Sequence, residues 1–489
     1  MVEPGAANRG TNNSSQAADK FVFWNGDGQI VPHLLFEFYS RNGIGKYYYD
    51  VDNWKITEPV IVKINCNIVS EVNVSFLIET AKNYIYECTE ENGEAGPIID
   101  SFHKNTSLFG SRNLQLLPTL QLDFLTDTRN EGYLYFQNGI VKVTAGSVTV
   151  HDYDEFDQYI WERSIIKLDF NEISEDELKE KCDFNTFLTD LSVVEDLEQS
   201  AARLKSLKSA IGYLIHRYKD GNTNQAIILM DIYVDGMPNG GSGKSLLITS
   251  IGKIRILAVI DGKKYDQKEW FALSSVGLDS EVLLFDDVKK DFNFEQLFPL
   301  TSGGMYVRRK YKDHIHIPHE KSPKIALTTN YAINGDSSSH RRRKFEFEVS
   351  TTYSADYSPR DKFGRNFFDD WSDNDWTLFY NTMIRCMQVY LSEGLVESVP
   401  ISLKLTKLVN NTCEEFIEFV NHKLELNLQL DKKTLYESFA SEYPEYKYQI
   451  TQRKFTQWLR TWAEFKNYNF MEGHTGDTRY IIFSKRETP

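Results

Sequence analysis

Residues 231–250 read DIYVDGMPNGGSGKSLLITS, and their reading decides how the rest of the chain is understood. The run around their start, AIILMDIYV (226–234), is apolar over the length of a strand and predicts a buried strand. A Gly-rich loop follows, and then a helix that starts at Ser245. Strand, loop PNGGSGKS (238–245) and helix in this order predict a phosphate-binding loop. Glycine allows the positive dihedrals and close approach by which the backbone of Asn239, Gly240, Gly241, Ser242 and Gly243 wraps an anion. Lys244 is expected to reach the β- and γ-phosphates of a nucleotide and Ser245 to hold Mg²⁺, with the helix start adding its dipole. The usual pattern opens on Gly, and here that place holds Pro238.

Three further stretches extend this reading. EVLLFDDV (281–288) is an apolar strand ending in two carboxylates; Asp286 is expected to ligate Mg²⁺ through water, and Asp287 to polarise the attacking water. KIALTTN (324–330) is a second buried strand, ending in a polar sensor, Asn330. SSSHRRRKFEFEV (337–349) brings three arginines directly before an alternating strand. Lys244 and Asp286 are 42 residues apart, and Asp286 and Asn330 are 44 apart.

In order and spacing, residues 205–395 resemble the superfamily 3 helicases of viruses and plasmids, a compact AAA+ type. The resemblance implies ATP and Mg²⁺ as ligands and a ring, a homo-hexamer, on single-stranded or forked DNA. It makes YVRRKYKDHIHIP (306–318) a DNA-gripping hairpin in which Arg309, Lys310 and Lys312 meet the strand. On a strand, Lys310 and Lys312 share one face, so two ammonium groups could track successive phosphates without reading bases. The resemblance also implies an arginine finger after the sensor, Arg341 or Arg342, with Arg343 open because three in a row leave the register free. His314, His316 and His319 of HIHIPH then belong to the hairpin's return strand and are not read as a metal site.

Composition bounds the rest. A chain of 489 residues predicts several domains, and a net charge of −15 argues against a generally adhesive nucleic-acid coat. A motor that holds DNA inside a ring needs only a local basic surface. Five scattered cysteines without a CxxC pair fit free thiols in a reducing, cytoplasmic interior. No signal peptide is expected, and no apolar run approaches the length of a membrane span, so no membrane partner is expected.

The expected fold class is multidomain α/β. Residues 1–18 read as a disordered tail, 19–110 as an α+β domain, and 111–170 as a strand-rich region with a hairpin cue in GIVKV and SVTVH. The phrase FQNGIVKV with a following WE segment is similar to the domain before the motor in poxvirus-type and phage primase-helicases. Asp152 and Asp154 of HDYDEFD have the spacing of a metal dyad but are read as a solvated acidic turn. Residues 171–225 are expected to be helical, either a ring collar or a packing helix. Within 226–395 the helix after the loop is read as SLLITSIGKIRIL, the next strand is placed in KYDQKEWFALSSV (264–276), and a closing helix is read from about Trp376. Residues 396–489 read as helices followed by a small hairpin, a winged-helix-like unit. The function expected is an ATP-dependent DNA helicase serving a phage, plasmid or other mobile element, with a separate primase or polymerase as partner. The alternatives are a nucleotide-switched initiator or defence ATPase that does not unwind, and a bifunctional primase-helicase.

Overall fold

The computed structural model describes residues 21–49, 59–89, 95–234, 237–238, 241–308, 315–335, 337–475 and 478–486. The tail 1–18, the loop residues Asn239 and Gly240, and the hairpin residues Arg309, Lys310, Lys312 and His314 lie outside them.

The chain forms two compact units. The smaller is drawn from Met1–Asp50, Ile56–Leu125 and Asp154–Arg163. It has a sheet ordered Ile44–Tyr47, Val60–Asn65, Ile68–Glu71 and Ile160–Trp161, with helices Pro32–Arg41, Val74–Thr89 and Ala95–Lys104. Its core gathers Phe23, Tyr39, Leu77, Ile85 and Phe102. The stretch 111–170, read as one region, is shared between the units. Gly132–Phe136, Gly139–Val143, Val148–His151 and Ile165–Ile166 form a sheet in the larger unit, and Leu134, Phe136 and Val141 join that unit's main core.

At the centre of the larger unit is a five-stranded parallel sheet. Its strands are β1 (Ala226–Asp231), β2 (Leu257–Asp261), β3 (Val282–Val288), β4 (Lys324–Thr329) and β5 (Lys344–Val349), in the order β2-β3-β4-β1-β5. A parallel sheet is covered on both faces, so its inner strands read as continuous apolar runs. β1 and β4 are accordingly buried at every position. Side chains alternate between two cores. Ile227, Leu229, Leu284 and Phe347 face the helices α1 (Leu197–Ile215), α2 (Lys244–Ile251) and α3 (Asp373–Glu393). Ile228, Met230, Phe285 and Leu327 face Phe294, Leu297 and the hairpin of Met305–Val307 with Ile315–Ile317.

Three boundaries differ from the sequence reading. Strand β2 lies at Leu257–Asp261, not in 264–276, because Gly252 ends α2 and frees the β-branched run after it to pair with β3. Residues 264–276 form turns. Helix α3 starts at Asp373, ahead of Trp376, because Ser372 and Asp375 exchange side-chain to backbone bonds in a capping box. The helical stretch 171–225 becomes Glu175–Lys181, Asp183–Asp190 and α1, whose Leu178, Phe187 and Leu207 share the core of the parallel sheet. Gly212 lets α1 approach α3 closely, since a Cβ there would come 2.1 Å from the Cys386 carbonyl oxygen.

The C-terminal part has helices Leu403–Asn411, Glu414–Lys423, Lys432–Glu442 and Gln452–Phe465. An antiparallel hairpin of Tyr468–Thr475 and Thr478–Lys485 follows, packed around Phe416, Phe439, Trp458 and Trp462. Among the described residues no helix is long and apolar enough to cross a membrane.

A buried ionic cluster fastens the base of the sheet. The carboxylate of Asp127 accepts from the backbone N–H groups of Tyr133 (3.0 Å) and Arg217 (2.6 Å) and from the Arg217 guanidinium (3.0 Å), with Arg255 3.7 Å away. Burial alone would raise its pKa, but the two guanidiniums outweigh it and hold the carboxyl well below the usual range. Lys324, the first residue of β4, donates to the carbonyls of Tyr213 (2.7 Å) and His216. His216 directs Nε2 at the Thr128 and Glu131 carbonyls and is pushed down to about 4, chiefly by burial.

Asp127→Asn leaves the guanidiniums of Arg217 and Arg255 with Glu281, 3.8 Å from Arg217, as their nearest remaining counter-charge and is expected to cost about 3 kcal/mol in urea unfolding. His216 is neutral in the fold, so the unfolded chain, with a value near 6.5, binds protons more readily. Stability contributed by His216 is complete above about pH 6.5 and is lost as pH falls toward 4, about 3 kcal/mol in all. Unfolding curves measured across that range should show the loss, and His216→Asn should flatten it.

Candidate functional site

The carboxyl ends of β1, β3 and β4 meet along one edge of the sheet, where open parallel sheets hold ligands. With strands about 4.8 Å apart, β3 lies about 10 Å from β1, with β4 between them. The edge therefore carries Lys244 beyond β1, Asn330 at the end of β4, and Asp286 and Asp287 on β3.

Beyond β1 the chain makes a small ribbon of Tyr233–Val234 with Met237–Pro238 and then enters the Gly-rich loop. Gly241 and Gly243 have φ of +81° and +93°, a region open to glycine at no steric cost. A Cβ on Gly241 would also sit 2.9 Å from the Ser354 backbone, so the loop lies directly on that segment. Gly243 stands at the N-cap of α2, Lys244 is its first residue, and Ser245 is exposed.

Lys244 is buried, and its ammonium is bound to the carboxylate of Asp231, the last residue of β1. Ser242 completes the knot: its hydroxyl donates to Asp231 Oδ1 at 2.5 Å and lies 3.0 Å from Lys244 Nζ. Burial raises the pKa of Asp231, Lys244 opposes that rise, and the charge of Asp287 adds to it. Among the described residues Asp231 Oδ2 is buried without a hydrogen-bond partner. A second ion pair, Lys263 with Asp287, is half exposed at the same edge.

The acidic pair sits on a deformed strand. Phe285 pairs with Leu327 and Val288 with Thr329, so three steps along β3 match two along β4. The extra residue makes a β-bulge, and Asp287 takes a left-handed conformation with φ of 54°. Thr328 pins the bulge: its hydroxyl accepts from the Asp287 N–H at 2.8 Å and donates to Asp286 Oδ1 at 2.5 Å. Thr329 donates to the Val288 carbonyl at 3.0 Å. Strain of this kind re-aims side chains and is concentrated at functional sites.

The arginine run divides. Arg341 and Arg342 are exposed at the end of the short helix Ser338–Arg341, capped by Ser337. Arg343 lies over the Phe298 ring at 4.7 Å and donates to the Ser339 carbonyl at 3.2 Å. Lys344 donates to the carbonyls of Ile333, Asn334 and Gly335, which holds the loop beyond Asn330.

Of the remaining candidates, His316 packs on Tyr306 across the hairpin, and His319 directs Nε2 at the Asp220 carbonyl (3.1 Å). Asp152 and Asp154 are exposed. Asp231, Thr328 and Lys263 were missed from sequence. Asp231 had a signal, an acid closing an apolar strand immediately before a Gly-rich loop.

The edge suits a nucleotide with a divalent cation. It offers positive-φ glycines at a helix start, an exposed hydroxyl on Ser245, hard oxygen donors in Asp286 and Asp287, and an ammonium whose present partner is an incompletely bonded carboxylate.

No protein-family model matches the chain, and no curated protein matches it. Among solved structures it is similar to "The A form apo structure of NrS-1 C terminal region-CTR", at 13% identity and a TM-score of 0.40, over 92% of this chain and 99% of that one. It is also similar to "Structure of Drosophila ORC bound to DNA", at 9% identity and a TM-score of 0.18, over 65% of this chain and 92% of that one.

Thr328→Val keeps the shape of β4 but leaves the Asp287 N–H and Asp286 Oδ1 without their partner. A stability loss of about 1–3 kcal/mol is expected by chemical denaturation, against little change for the exposed Thr249→Val control.

Proposed function

We propose that this chain is an ATP-driven DNA motor of the superfamily 3, AAA+ kind, working in the cell interior as a ring of identical subunits, a hexamer, on single-stranded or forked DNA. One observation carries the reading: the edge of a parallel sheet that gathers Lys244 at the start of α2, Asn330 just beyond β4 and the bulged pair Asp286 and Asp287 on β3. The motif order that resembles this family supports it independently. In the same reading 226–395 is the motor, 171–225 its collar, 111–170 the region before the motor, and 396–489 a winged-helix-like module.

ATP is the substrate. The loop Asn239–Ser245 would hold its phosphates, and Lys244 would exchange Asp231 for the β- and γ-phosphate oxygens. Mg²⁺, held through Ser245 and Asp286, would neutralise charge on the phosphates. Asp287 would accept the proton of the attacking water, and Asn330 would orient that water. Arg341 or Arg342, exposed as a finger serving a neighbouring subunit must be, would stabilise the transferring group, so hydrolysis would require assembly. Arg309, Lys310 and Lys312 at the hairpin tip would grip successive DNA phosphates.

The test is unwinding of a forked duplex with ATPase read in parallel. Lys244→Ala should abolish both activities. Arg341→Ala/Arg342→Ala should lower ATPase by about 10³ or more, while Lys310→Ala/Lys312→Ala should lose unwinding and keep much of the ATPase. Full ATPase in Lys244→Ala ends the nucleotide reading. Hydrolysis without strand separation on any fork hands the case to a nucleotide-switched DNA-binding ATPase.

Asp231 competes with phosphate for Lys244, so Asp231→Asn should tighten binding of a fluorescent ATP analogue by about tenfold, the equivalent of 1.4 kcal/mol. Unchanged or weaker binding would show that the pair does not oppose nucleotide.

A further inference from the structure

The C-terminal helix Gln452–Phe465 has two unlike faces. Phe455, Trp458, Leu459 and Trp462 are buried in the local core. Arg453, Gln457 and Arg460 recur at helical spacing on the opposite side, and all three are exposed. The stripe ends in the exposed acid Glu464.

The hairpin beside this helix continues the surface. Opposed residues of its strands share a face, and the pairs run Phe470 with Phe483, Glu472 with Ile481 and His474 with Arg479. That face is apolar at its base, where it closes the core, and ionic toward its tip. Between helix and hairpin lies a groove of about 730 Å³ whose charged lining is Lys432, Arg453, Arg460 and Arg479 against Glu472, with Gln457 between them. Glu472 is held below its usual carboxylate range by Lys432 and Arg460, both at 2.5 Å. Among the described residues Arg453 and Arg479 have no carboxylate partner. A net positive groove stands out in a chain of net charge −15 and calls for a polyanion.

We propose that this groove binds duplex DNA, with the helix Gln452–Phe465 in the major groove and the hairpin tip on the flanking backbone. A helix with side chains is about 10–12 Å across and the major groove about 12 Å wide. Arg453 and Gln457, one turn apart, are separated by about 6 Å along the helix, roughly two base-pair steps. Their chemistry matches base edges there, arginine to guanine and glutamine to adenine. Arg479 is set to meet phosphate. This surface is separate from the nucleotide edge and needs no ATP.

The test is fluorescence anisotropy of the full chain with a labelled duplex two helical turns long, without nucleotide, over a salt series. Arg453→Glu/Arg479→Glu is expected to weaken duplex binding at least tenfold and to flatten its salt dependence by about two charges. The matched reversal off the groove, Lys433→Glu/Lys454→Glu, should change it little. Gln457→Ala should relax the preference among duplex sequences while leaving the salt slope intact. Arg453→Gln/Arg479→Gln serves if the double reversal unfolds the domain. The proposal is overturned if wild type does not bind duplex, if neither pair matters, or if both pairs lose equally. Lys244→Ala should keep full duplex binding, so failure of the motor reading and failure of this one are told apart.

Discussion

Strand β1 has no exposed side chain, and it lies between β4 and β5 in a sheet covered on both faces. A strand in that position can carry charge only at its end, and Asp231 is that end. A buried carboxylate must be paired or neutralised, and the chain supplies a lysine through a turn of glycines. The ion pair of Asp231 with Lys244 thus follows from burying β1 and starting a helix directly after the loop. It also holds the site's ammonium where phosphate oxygens could replace a single competing carboxylate.

The same edge is shaped by a mismatch between neighbours. β3 spends one residue more than β4 over the acidic pair, and Thr328 holds the resulting bulge from the side. A regular strand would send Asp286 and Asp287 to opposite faces. The bulge, with Asp287 in a left-handed conformation, loosens that rule at the carboxyl end of β3.

The unit is also tied from behind. Arg203 on α1 is fully buried and donates to the carbonyls of Ser192 (3.2 Å), Val399 (2.7 Å) and Glu348. Glu348 on β5 accepts from the backbone N–H groups of Ile401 (2.6 Å) and Ser402 (3.0 Å). The segment leading to the C-terminal helices is therefore bonded to a strand of the central sheet.

The sequence by itself determined what depends on local pattern. Continuous apolar runs marked β1, β3 and β4, helical periodicity marked α1 and Gln452–Phe465, and glycines beside Lys244 marked the loop. Tertiary structure decided what depends on neighbours. Strand β2 was misplaced because LAVID is short and ambiguous alone, and becomes a strand only by pairing with β3. Asp231 and Thr328 gained their roles from residues brought near by the sheet order. Three adjacent arginines are equivalent as text, and packing on Phe298 separated Arg343 from Arg341 and Arg342. Local signals report hydrophobic period and backbone freedom, whereas charge pairing and burial are set by contacts between segments far apart in the chain.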